Sequence, residues 1–408
     1  MPKNIVICCD GTGNQIGDTI SNVLKLFRAL RKNEEQRVYY NPGVGTIGQK
    51  NPWQRFKQNA REVFGLATGY GLDDDVLSAY RFLCQTYERG DKIWLFGFSR
   101  GAYTVRVLAA FVHVMGLLRI DQLNLAGHAF SAFKKSSAGS RRAPNDVVTE
   151  TGSKRHDKDL EAAWHFSRVA GGRAAGIEFI GVWDTVASVI TPHDDSLLID
   201  LQTVRFTRTN PSVKVFRQAM AIDERRRMFR LNAWKESQPY RRNPFDPASE
   251  IQQDILQVWF AGVHADVGGG YPEAESGLSK FPLLWMIEEA KAKGLAFDHA
   301  TVNHLVLGRS RQGSKHTYIP PNPSGTLHQS MTPAWKILEW VPKKAKWLEW
   351  KQRRALLGWY LPRSEPRFIP DGATIHWTVR ARQEQVPDYQ PVNLPTNFTV
   401  AGASKTPA

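Results

Sequence analysis

Three cysteines among 408 residues, two of them adjacent, leave no even set for a disulfide frame and no spacing that would hold a metal. Cys8, Cys9 and Cys84 therefore read as reduced thiols, and the chain is expected to be made and folded in a reducing cytoplasm. Long apolar runs are missing too. The longest candidate, Val105–Leu118, is interrupted by Arg106 and His113 and falls short of the ~18 residues of a spanning helix. The start, MPKNIVICCDGTGN, passes from one lysine into a short strand-like run, without the apolar region and cleavage site of a secretory signal. Acidic residues are the scarcer charge, 39 against 54 Lys and Arg, for a net +15. Such a balance attracts a polyanion, either nucleic acid or an anionic membrane surface, and charge alone does not choose. Because the basic residues are scattered, a merely solvated cationic surface stays open as well. No P-loop signature occurs, and GTGNQIG misses the dinucleotide spacing by one residue, so no nucleotide cofactor is expected.

Apolar residues are not scarce. They make up 42% of the chain, enough for a substantial core. IVICC (5–9) reads as a buried strand running into the turn-rich DGTGN. SNVLKLFRALRK, DDDVLSAYRFLCQTY and RGAYTVRVLAAFVHVMGLL read as helices. RVYYNPGVG, DKIWLFGF, GIEFIGVWDTV and DILQVWFAGVHADVGGG read as strands, several ending in polar loops. Strands alternating with helices predict an α/β fold with a mostly parallel sheet covered on both faces, in one domain spanning 1–408. Function in such sheets gathers beyond the carboxyl ends of the strands. Two stretches stand apart. Residues 134–158 are polar and charged and read as a flexible excursion. Residues 333–363 hold five of the thirteen tryptophans and eight Lys/Arg against two Glu, and read as a basic helical insertion or lid.

Gly97-Phe98-Ser99-Arg100-Gly101 fits G-x-S-x-G, the turn on which a strand hands a serine to a helix. A strand-like run precedes it, a helical pattern follows it, and Ala102 is small. Ser99 is thus the candidate nucleophile. A serine hydroxyl needs a base, and the base needs a group that fixes its tautomer. On this fold the order is serine, then acid, then histidine. Among eleven histidines, His264 leaves a buried strand for a glycine-rich loop. His193 is its best substitute, His113 lies in an apolar helix, and His128, His156 and His165 lie in or near the polar excursion. For the acid, Asp184 ends another buried strand, with Asp266 and Asp10 as competitors. The oxyanion formed on attack needs backbone donors. The residue after the nucleophile, Arg100, is one, and the DGTGN turn offers Gly11 or Thr12 as the other.

Taken together, CDGTGN, GD-KIWLFGFSRGAYTVR, GVWDTV and GVHADVGGGY resemble the uncharacterised α/β-hydrolase domain family, and the likeness extends to IHWTVRARQEQVPDYQPVNLP at 375–395. The characterised members of that family are the type VI secretion lipase effectors of the first class, which act as phospholipases. The resemblance implies an α/β-hydrolase fold, Ser99 as nucleophile, Asp184 as orienting acid and His264 as base, with the DGTGN turn beside them. It implies a lipid or phospholipid acyl ester as substrate, cleaved through an acyl-enzyme with no metal or organic cofactor, and export without a signal peptide. Two other readings stay open: a carboxylesterase for small esters, and a non-catalytic α/β domain whose cationic face binds a membrane or a partner. The tryptophans and cations of 333–363 fit a membrane interface or packing against the sheet; nucleic acid is not the expected partner.

Overall fold

Alternation along single strands builds the centre of the molecule. In the first strand, Ile5, Ile7 and Cys9 enter one apolar cluster while Val6 and Cys8 enter another on the opposite face. The structure is a computed structural model and describes residues 2–11, 19–43, 71–138, 150–186, 190–193, 196–201, 204, 206–241, 247–345, 348–350 and 354–402. Eight strands form the main sheet: β1 (Asn4–Cys9), β2 (Gln36–Asn41), β3 (Lys92–Phe98), β4 (Ile177–Trp183), β5 (Val213–Ala221), β6 (Asp254–Phe260), β7 (Ala373–His376) and β8 (Phe398–Ala401). Their order is β8-β7-β6-β5-β4-β3-β1-β2, and every pairing is parallel. Helices α1 (Asn22–Ala29), α2 (Leu72–Thr86), α3 (Ser99–Met115), α4 (Ala126–Ala138), α5 (Glu150–Val169), α6 (His264–Gly268) and α7 (Lys280–Ala292) follow in chain order. The packing of α2–α5 covers one face, and α1 and α7 cover the other. The fold is α/β-hydrolase-like. Among the described residues no helix is long and apolar enough to cross a membrane.

Three strands differ from the sequence reading because their patterns are mixed. β5, VKVFRQAMA, carries Lys214, Arg217 and Gln218. Each cation finds an acid: Lys214 pairs with Glu178 at 2.8 Å, and Arg217 with Glu289 at 2.6 Å and Asp254 at 2.9 Å. β7 and β8 have four residues each and complete one edge. The polar stretch 134–158 is not one continuous excursion. Residues 134–138 end α4, 150–158 begin α5, and 139–149 lie outside the described residues. Leu160, Ala163 and Phe166 explain why α5 holds, since they pack against the core. The tryptophan-rich stretch is also not the helical insertion its composition predicts. Among the described residues of this stretch the α-helix runs over Pro333–Leu338, and Pro342 blocks its continuation. Beyond it Lys343–Lys344 pairs antiparallel with Trp359–Tyr360.

Candidate active site

Backbone geometry at the end of β3 explains the pentad. Ser99 has φ 55, a left-handed conformation rare outside glycine, as the first residue of α3. A Cβ on Gly97 would lie 2.5 Å from the Gly101 carbonyl oxygen, and one on Gly101 would lie 2.1 Å from that of Cys9. The glycines therefore let α3 approach β1 and fold back over β3, and the serine takes the strained position between them. Ser99 is buried, with 8% of its surface exposed.

Asp184 follows β4, also with a positive φ of 37. Its carboxylate is wholly buried and fully engaged. Oδ1 accepts from Ala221 N–H at 3.0 Å and from Arg367 Nη1 at 2.5 Å. Oδ2 accepts from His264 Nδ1 at 2.5 Å and from Arg367 Nη2 at 3.0 Å. Burial opposes ionisation, but the Arg367 charge and the His264 hydrogen bond outweigh it and hold the carboxyl well below the usual carboxylate range. An ionised carboxylate only accepts, so Nδ1 carries the imidazole proton and Nε2 keeps its lone pair.

His264 opens α6, directly beyond β6. Its ring is held between Phe98, the residue before the serine, at 4.7 Å between centroids, and Phe229 at 4.9 Å. Its backbone N–H donates to the buried Glu224 at 3.2 Å. Burial pushes its pKa below the ordinary value, with Asp184 pulling the other way. Among the described residues no hydrogen bond joins the Ser99 hydroxyl to His264.

The competing residues are occupied elsewhere. Asp266 accepts from Val263 N–H and pairs with His328 Nδ1 at 2.6 Å, so it serves its own turn. Asp10 accepts from Tyr40 and Ser21 hydroxyls beside β1. His113 Nδ1 meets Ser212 Oγ at 2.6 Å, far from the sheet end that carries His264. His193 lies in a two-stranded ribbon, Ile190–His193 with Ser196–Leu201. The expected oxyanion donors fare unevenly. Arg100 sits in the first turn of α3, where helix N–H groups lack helical partners. The Gly11 N–H donates to Asp10 Oδ1 at 2.7 Å. Thr12 lies outside the described residues.

Arg367 and Glu224 escape sequence reasoning. Arg367, nearly buried, also donates to the Phe229 and Ala221 carbonyls at 2.7 and 3.1 Å. Glu224 is held to a pKa of about 2, burial opposing and Arg226 prevailing. It accepts from Arg226 Nη2 at 2.8 Å and from the Ser330 hydroxyl at 3.0 Å. No motif marks either residue. The signal was at most the acid and arginines of DERRRMFR after a strand the sequence hid. Among the described residues no cluster of His, Cys, Asp or Glu is arranged to hold a metal ion.

Comparison with known proteins adds to this geometry. The family described as the type VI secretion phospholipase effector Tle1-like catalytic domain matches residues 3–289, more than half of the chain. An uncharacterized protein of Saccharomyces cerevisiae is 23% identical over 424 residues, covering 78% of this chain and 62% of its own length. Two solved structures are each 18% identical. An uncharacterized protein from Pseudomonas aeruginosa covers 73% of this chain and 46% of its own, with TM-score 0.35. The Tle1 effector bound to the VgrG spike of the type VI secretion system covers 68% and 53%, with TM-score 0.32. The chain spans less than two thirds of the length of each of these three relatives.

Proposed function

The chain belongs to the Tle1-like phospholipase effector family of type VI secretion, matched in its catalytic domain, and from that premise we propose that it hydrolyses acyl esters of phospholipids through an acyl-enzyme on Ser99. The observation that carries the reading is the 2.5 Å pair of His264 Nδ1 and Asp184 Oδ2, with the imidazole packed on the residue beside the elbow serine.

In the reaction, His264 Nε2 takes the Ser99 proton as the hydroxyl oxygen attacks the ester carbonyl. The tetrahedral oxyanion forms beside the Arg100 backbone N–H. Its collapse breaks the bond to the alcohol oxygen, which leaves with the proton from Nε2. Water then gives a proton to the same nitrogen, attacks the acyl-serine and releases the fatty acid, returning the hydrogen to Ser99. Asp184 stays ionised and stabilises the imidazolium that forms in each half. The serine–histidine hydrogen bond forms when substrate fills the site.

Ser99→Ala should lower phospholipid hydrolysis by about 10⁴-fold or more while leaving the circular dichroism spectrum and denaturation midpoint near the parent's. A fluorophosphonate should label the parent at Ser99 and leave the variant unlabelled. Turnover by Ser99→Ala at the parent rate sinks the proposal. Comparing a water-soluble monomeric ester with lipid in vesicles separates a phospholipase from an esterase for small molecules, since only the former gains at the interface.

A further inference from the structure

Exposed apolar side chains gather in one stretch. Ile337, Trp340, Val341, Leu356 and Leu357 are all exposed, Leu356 to 78% and Leu357 to 90%. Leu357 also has φ 50, a left-handed conformation that favours Gly or Asn and penalises a branched side chain. A leucine that buries nothing, on a backbone that disfavours it, contributes little to folding. The turn around it is nevertheless well formed. Leu356 N–H donates to the Trp359 carbonyl at 2.8 Å, Trp359 N–H returns to Leu356 at 2.9 Å, and Ala345 N–H reaches Gly358 at 2.7 Å.

Cations border these apolar tips. Lys336, Arg354 and Arg363 are exposed, Lys344 is half-buried, and the Arg363 guanidinium lies 5.0 Å from the centre of the Trp340 ring. The stretch is fixed to the candidate active site. Trp335 packs edge-on against Phe229 at 5.4 Å, and Phe229 packs edge-on against His264. Arg227 fastens it from the same loop, pairing with Glu349 at 2.9 Å and donating to the Tyr360 hydroxyl at 2.7 Å.

We propose that residues 336–345 and 354–363 form the surface by which the protein docks on an anionic phospholipid bilayer, with Leu356, Leu357 and Trp340 entering the interface and Lys336, Lys344, Arg354 and Arg363 meeting headgroup phosphates. This rests on the phospholipid reading of the site. The combination points to a bilayer. Cations alone suit any acidic partner, but protruding leucines gain from an acyl environment and an amphipathic tryptophan from the headgroup level. Docking there turns the Phe229–His264 side of the molecule toward the lipid.

The test uses the full chain carrying Ser99→Ala, which binds without consuming the vesicles, in co-sedimentation with phosphatidylcholine vesicles with and without phosphatidylglycerol. Binding should favour the anionic vesicles. Leu356→Ser with Leu357→Asn should weaken it at least about tenfold, and Lys336→Glu with Lys344→Glu about tenfold or more. Leu357→Asn alone suits the left-handed turn, so it should weaken binding while keeping or raising the melting temperature. With Ser99 intact, the same variants should cleave a monomeric ester at the parent rate and vesicle lipid more slowly. Unchanged vesicle binding by folded variants overturns the proposal. So does parent dimerisation that Leu357→Asn abolishes while vesicle binding persists, which would assign the patch to a second copy. If no ester is cleaved yet vesicle binding still follows the variants, the docking surface stands and the catalytic reading fails.

Discussion

Asp184 shows how one buried carboxylate is kept charged. Arg367 donates to both oxygens and His264 to Oδ2 alone, so the acid that orients the imidazole is itself gripped by a fork of two N–H groups. In the proposed mechanism Arg367 is a positioning residue, and its charge offsets the burial of Asp184. A fixed cation beside Asp184 partly cancels the negative field that would stabilise protonated His264. Removing it should raise the His264 pKa. The proposed mechanism needs the neutral imidazole, so the acid limb of kcat/KM should move to higher pH in Arg367→Met, by about 1 unit or more. That variant also leaves a buried charge short of a partner and should lose about 3–5 kcal/mol of stability. Arg367→Lys keeps the charge without the fork. It should leave the acid limb near the parent position while lowering kcat, because the carboxylate is no longer held in one orientation. A pH–rate profile for both variants separates electrostatic tuning from simple damage, and identical limbs in the parent and Arg367→Met would remove the tuning role.

At the level of elements, the elbow is a contact between α3 and β1 as much as a turn. Gly101→Ala would set a methyl 2.1 Å from the Cys9 carbonyl oxygen, and backbone cannot swing aside as a side chain can. The helix must lift from the strand, at about 1–3 kcal/mol, with Ser99 displaced along with it. Gly127→Ala in α4 is the matched control, since nothing lies within 4 Å and a helical alanine should add about 0.5–1 kcal/mol. Denaturant midpoints of the two variants should move in opposite directions. The same elements explain what could be read from the sequence. β1, β3, β4 and β6 carry apolar runs ending in Asp10, Ser99, Asp184 and His264, so each candidate residue announced itself at a strand end. β5 did not, because Lys214, Arg217 and Gln218 look like surface residues until Glu178, Glu289, Asp254 and Arg106 appear beside them. Arg367 could not be read at all. It lies in a loop between two strand systems, far along the chain from Asp184, and only the completed sheet brings them together. The stretch 333–363 misled for a simpler reason: composition suggested a helix, and Pro342 with the paired 343–344 and 359–360 segments made a ribbon.

Across the whole molecule, residues beyond the matched catalytic region complete the sheet, the Asp184 clamp and the exposed ribbon, so their folding and the site's integrity are coupled. That coupling has a pH dependence carried partly by His376, at the end of β7. Its ring stacks on Phe260 at 4.4 Å and its Nδ1 meets Thr378 Oγ1 at 2.8 Å. Burial lowers its pKa to about 3. In the unfolded chain the ring takes a proton near the ordinary value of 6.5, whereas in the folded protein it stays neutral. Stability is therefore complete above about 6.5 and falls as the pH drops toward 3, by about 2 kcal/mol at pH 5 from this residue alone. Asp184 contributes almost nothing to the change between pH 7 and pH 5. Its folded pKa is depressed, so its stabilisation is present above the ordinary carboxylate value and is lost only at lower pH. The His264 pKa is lowered as well and acts in the same direction as His376. Urea midpoints should fall between pH 7 and pH 5 in the parent. His376→Asn, less stable at pH 7, should show a pH dependence smaller by about 2 kcal/mol over that range. If the two curves run parallel, the buried neutral ring is not what couples this edge of the sheet to acid. If they converge, the buried neutral ring is what ties this edge of the sheet, and with it Arg367's segment, to acid.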